Sequence, residues 1–95
     1  MTSADREFWR GGDATVRIGF DDTGALRFSG YDRAHLDGYE YVITVAVAEF
    51  PALRRALGVS EDADVLDAVC AHVGQIMPGG ERSWLHAHGI KTQTR

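Results

Sequence analysis

Residues 39–50 constrain this chain more than any other stretch. They read Tyr39-Glu40-Tyr41-Val42-Ile43-Thr44-Val45-Ala46-Val47-Ala48-Glu49-Phe50. Tyr39, Tyr41, Ile43, Val45 and Val47 fall two apart, so an extended backbone puts them on one face. The run is rich in β-branched and aromatic side chains, and no Gly or Pro interrupts it before Pro51. The other face carries Glu40, Val42, Thr44 and Ala46, only half of it polar. A strand apolar on one side and mixed on the other belongs inside a sheet, not at its rim. Residues 39–47 are therefore expected as an inner strand with helices against one side.

Two shorter alternations precede it. Val16, Ile18 and Phe20 share a face over residues 15–20. Leu26 and Phe28 alternate with Arg27 and Ser29 over residues 25–29. The turn cluster Asp21-Asp22-Thr23-Gly24 joins them into an antiparallel hairpin. Upstream, Arg6-Glu7-Phe8-Trp9-Arg10 is too short for periodicity to decide between a strand and a helical turn, and residues 1–7 are expected to fray. Residues 30–38, closed by Gly30 and Gly38, read as an irregular connection longer than a tight hairpin.

Helical signals follow. Pro51 suits a first turn, Leu53, Ala56 and Leu57 make a stripe, and Gly58 is a stop, giving a helix over 51–57. Ser60 is a candidate cap for a second helix over 61–77, with Glu61, Asp62 and Asp64 in its first turn. Val65, Leu66, Val69, Val73, Ile76 and Met77 form its apolar face; Asp64, Asp67, Ala68, Ala71 and Gln75 group opposite. Pro78-Gly79-Gly80 ends it, a third helix fits 81–88, and residues 90–94 read as a last strand at the sheet edge. Strands, then helices, then a strand make one α+β domain over 1–95. Its antiparallel sheet has three to four strands (15–20, 25–29, 39–47, 90–94), and two to three helices (51–57, 61–77, 81–88) pack on one face.

Charge narrows the function. The net charge is -4, and residues 59–78 carry Glu61, Asp62, Asp64 and Asp67 with no Lys or Arg. A general nucleic-acid binder needs the opposite excess, so no nucleic-acid partner is expected. No apolar run approaches the roughly 20 residues of a membrane helix, so no membrane partner is expected either. Cys70 is the only cysteine, which rules out an internal disulfide; that fits the cytoplasmic location expected here, and equally a secreted protein that needs no staple.

Chemistry-bearing residues are few. His86 and His88 are two apart, as are Cys70 and His72. On a helix such pairs diverge by about 200° and do not chelate together, so no metal or other cofactor is expected. Cys70 borders the apolar stripe, where a cysteine packs as a small hydrophobe. The densest polar cluster is Tyr31, Asp32, Arg33, His35 and Asp37. Asp32 or Asp37 with His35 would make an acid–base pair, but no nucleophile or second carboxylate stands nearby at a recognised spacing, so no residue is assigned a catalytic role. Glu40 falls on the open sheet face, where Arg17, Arg27 and Lys91 have the parity to join it. Asp64 and Asp67 offer a negative patch, Asp67 lying beyond the reach of the helix dipole.

These features predict a non-catalytic, acidic protein-binding module that uses Tyr31, Asp32, Arg33, His35, Asp37, Glu40, Asp64 and Asp67. In its small acidic α+β style the chain loosely resembles bacterial immunity proteins, which implies an inhibitor of a basic partner protein. Two alternatives stand beside this reading. One is a small enzyme or metal-binding protein built on the 31–37 loop and the C-terminal histidines. The other is a homo-oligomer, such as a dimer, with a structural or regulatory role.

Overall fold

The alternating runs pair into one antiparallel sheet in the computed structural model, which describes residues 5–32 and 39–94. Its strands are β1 (Arg6–Gly11), β2 (Ala14–Phe20), β3 (Leu26–Asp32), β4 (Tyr39–Val45) and β5 (Gln93–Thr94), adjacent in chain order. Ile18, Phe28 and Ile43 form one rung across β2, β3 and β4; Phe20, Leu26 and Val45 form another. Period-two alternation sends these side chains to one face, where all but Phe20 are fully buried. Four helices cover that face: α1 (Phe50–Leu57), α2 (Val65–Ala71), α3 (Val73–Ile76) and α4 (Glu81–Ala87). Leu53, Val69, Ile76 and Leu85 bring their apolar stripes into the same core. The class is α+β, as the pattern predicted. Among the described residues no helix is long and apolar enough to cross a membrane.

Several boundaries differ from the sequence expectation, each for a local reason. Arg6 and Glu7, expected to fray, are paired opposite Ile18 and Arg17 in β1. The register of β1 shifts between Glu7 and Trp9. Such a bulge inserts an extra residue, so two neighbours can serve one face. Phe8 is buried edge-on against Phe28, with ring centroids 5.6 Å apart, and Trp9 packs against the same core. Strand β3 runs on through Gly30, Tyr31 and Asp32, where the sequence pattern predicts a loop.

Strand β4 stops at Val45, two residues early. Ala46 is still extended, but Val47–Glu49 form a 3-10 turn that swings the chain into α1. Val47 is consequently 52% exposed rather than in the core. Phe50 is buried instead, with its ring 6.4 Å from that of Phe20.

The single helix predicted over 61–77 is two helices and a preceding turn. Asp64, not Ser60, is the cap: its carboxylate accepts the Asp67 N–H at 3.0 Å. The Ser60 carbonyl instead closes a turn with the Ala63 N–H at 3.0 Å. At His72 the ring Nδ1–H donates to the Ala68 carbonyl at 2.7 Å, and the backbone N–H turns to Val69. A side chain that takes an i−4 carbonyl displaces the ladder bond there, and Gly74 follows without the helix propensity to resist the kink. The burial stripe survives the break, because Val65, Leu66, Val69 and Ile76 are all buried.

The last strand shrinks from 90–94 to Gln93–Thr94. Gly89 turns at φ 71°, and the Ile90 N–H bonds back to the Leu85 carbonyl. Ile90 thereby closes the core and leaves only two residues to pair with β4. The helix over 51–57 gains Phe50, and the one over 81–88 ends at Ala87.

Gly74 gives a direct test of the kinked helix. Its φ is not left-handed, and a Cβ there meets open space. Gly74→Ala should stabilise the fold by about 0.5–1 kcal/mol, read from the midpoint of urea unfolding. A lowered midpoint would mean that this turn needs glycine's freedom.

Candidate functional site

Tyr31 and Glu40 face each other directly on the β3–β4 ladder, on the side of the sheet that the helices leave open. Thr15 of β2 stands opposite Tyr31 on its other flank. The parallel rung holds Arg17, Ser29 and Val42. Together with Gly30 and Tyr41 these residues line an open hollow of about 330 Å³. Tyr31 is 39% exposed, and Arg17 and Glu40 are exposed beside it.

Parity had placed Arg17, Arg27 and Lys91 around Glu40. Arg27 does lie on this face, but its carboxylate is Asp5, at 3.1 Å, lying over the bare backbone of Gly19. The Arg17 guanidinium donates to the Asp5 carbonyl at 2.9 Å. Lys91 falls outside β5, and its backbone N–H donates to Glu49 at 2.9 Å. Among the described residues Glu40 forms no ion pair, so the cross-strand pairing anticipated for it is not made. Asp32 lies opposite Tyr39 where the β3–β4 ladder ends. Arg33, His35 and Asp37 lie outside the described residues, and with them the His35 acid–base pair.

Asp64 and Asp67 belong to the helical layer, away from Tyr31 and Glu40. With Asp64 as the cap, Asp67 stands in the first turn of α2, so the dipole that seemed out of reach does favour it. It also pairs with Arg6 of β1 at 2.7 Å. The hydrogen bond that Arg6 donates to Asp67 is the main reason the guanidinium is held above its ordinary pKa. Both carboxylates therefore have partners within the chain, and of the residues singled out from sequence the five that are described (Tyr31, Asp32, Glu40, Asp64 and Asp67) are divided between the sheet and the helical layer.

Cys70, His72 and His88 are each tied into the helical layer. Burial pushes the Cys70 thiol pKa up, against the pull of Arg6, which disfavours the thiolate a nucleophile needs. His88 Nδ1–H donates to the Trp84 carbonyl at 2.8 Å, and the two rings lie 4.3 Å apart. Among the described residues no three His, Cys, Asp or Glu side chains gather as a metal site would require.

One residue escaped sequence reasoning. Glu81, the first residue of α4, is only 3% exposed and is the one buried charged side chain among the described residues. The Tyr41 hydroxyl donates to its Oε1. Gly30 makes this approach possible. It sits opposite Tyr41, and any Cβ there would enter the tyrosine ring. Tyr41, Ile43, Met77, Gly80, Glu81, Arg82 and Ser83 line a hollow of about 320 Å³ between β4 and α4. The sequence held half of the signal: a glycine continuing the β3 alternation opposite an aromatic. It held nothing for Glu81, because an acid opening a helix reads as a dipole partner.

Comparison with protein-family models, curated proteins and solved structures finds no match to this chain.

Proposed function

We propose that the chain is a non-catalytic protein-binding module that meets its partner with the helix-free face of the sheet. The observation that carries this reading is Tyr31, exposed on that face with Glu40 opposite it and Arg17 on the next rung. Tyrosine and arginine dominate binding energy where they are held over a dry contact centre. A sheet surface holds them without the ordering cost of a loop. Val42 and Thr15 supply a low floor around them. The net charge of -4 speeds encounter with a basic partner of the kind an immunity-type inhibitor covers.

Tyr31→Ser tests the face. Tagged wild-type protein captures the partner, and calorimetry with the purified pair gives the affinity. The variant should lose about 2 kcal/mol of binding while keeping its unfolding midpoint. An unchanged affinity would remove this face from the contact. If the captured protein is a second copy of the chain, and the dimer mass disappears in Tyr31→Ser, the same face serves self-association.

A further inference from the structure

We propose that the hollow between β4 and α4 receives an alkylammonium group, with the charge on Glu81 and the apolar stem along Tyr41 and Met77. Three observations lead there. Glu81 is buried, yet among the described residues it has no ion pair; its one bond shown is from the neutral Tyr41 hydroxyl. A carboxylate largely withdrawn from water favours a cation beside it, and among the described residues Glu81 has one hydroxyl donor and no positive partner, its remaining access being the hollow. The hollow beside it is open to solvent and large enough for a short stem.

The lining selects among cations. A hydrated divalent metal requires several oxygen ligands, and here one carboxylate stands among Tyr41, Ile43, Met77 and Ser83 with the cationic Arg82 beside it. A guanidinium binds best across both carboxylate oxygens, and Tyr41 already holds Oε1. An ammonium is a point charge satisfied by the remaining acceptor positions. The Tyr41 ring favours the same ligand through its π face. Arg82 lines the hollow as an exposed side chain and adds a like charge there, so it weakens binding without blocking it.

The ammonium has two sources, a lysine side chain of another polypeptide or a free amine. Glu81 and Met77 border this hollow and not the one beside Tyr31, so a shift at the Met77 methyl reports on this site independently of the binding face proposed above. The probes are n-butylammonium and Nα-acetyl-lysine methylamide, followed by the NMR signals of the Met77 methyl and the Tyr41 ring. Saturable shifts from both support a lysine side chain; shifts from butylammonium alone support a free amine. Glu81→Gln keeps the shape and an acceptor for Tyr41, and should weaken either cation about tenfold or more. Arg82→Ala should tighten both. Should Glu81→Gln not fold, n-butanol and the Nε-acetylated lysine probe replace it: these neutral analogues should leave the wild-type signals in place. No saturable shift from either cation, equal affinity in Glu81→Gln, or equal binding of the neutral analogues would overturn the proposal.

Discussion

Phe28→Ala should lower the unfolding free energy by about 3–5 kcal/mol, the largest loss expected from a single truncation in the sheet. Phe28 is 1% exposed. It occupies the middle of the rung between Ile18 and Ile43 and takes the edge of the Phe8 ring. Truncation removes the transfer free energy of the ring and leaves a cavity that two paired strands cannot collapse into. An aromatic pair adds about 0.5–1.5 kcal/mol beyond area, and the substitution forfeits that as well. Val47→Ala is the matched control. It removes an apolar side chain that strand parity places in the core, but Val47 is 52% exposed, so the effect should stay within about 0.5 kcal/mol. Urea titrations of both variants read the difference. Comparable losses at the two positions would mean that the core extends past Val45.

The contrast between those positions shows what was legible in the chain and why the rest was not. Alternation is a local property of an extended backbone, so Val16, Ile18, Phe28, Ile43 and Val45 declared their buried face directly. It does not say where a strand stops. Val47 continues the pattern perfectly, but the chain needs a 3-10 turn there to enter α1. The stripe from Val65 to Met77 reports which side of the helical layer is apolar, not whether the backbone beneath is continuous. The His72 ring and Gly74 break the rod without disturbing the stripe. Adjacent aromatics at Phe8 and Trp9 resisted any period because a bulge had absorbed one residue. The candidate sites divide in the same way. Glu40 is legible in the sequence on the open sheet face, whereas Tyr31 reads there only as part of a polar loop cluster and is placed on that face by β3. Glu81 was hidden, because its burial depends on α4 folding back over a strand 40 residues earlier in the chain.

Gly30→Ala should destabilise the protein by about 3 kcal/mol or more, far beyond the usual cost of a methyl group on a strand. The added Cβ would occupy the space of the Tyr41 ring. Overpacking of this kind costs about 1–3 kcal/mol when neighbours must move off their rotamers. Displacing the ring takes its hydroxyl away from Glu81. A hydrogen bond to a charged group contributes about 1.5–3 kcal/mol, and losing the donor strands a carboxylate that is 3% exposed. A double-mutant cycle isolates the mechanism. In a Tyr41→Ala background the ring is gone, so Gly30→Ala meets no obstacle. Alanine should then be preferred over glycine in the strand by about 0.5–1 kcal/mol. The sign of the Gly30 substitution therefore reverses between the two backgrounds, a coupling that neighbours sharing one space must show. Equal losses in both would mean that glycine is required by the backbone itself, and that the Tyr41 ring reaches Glu81 without its help.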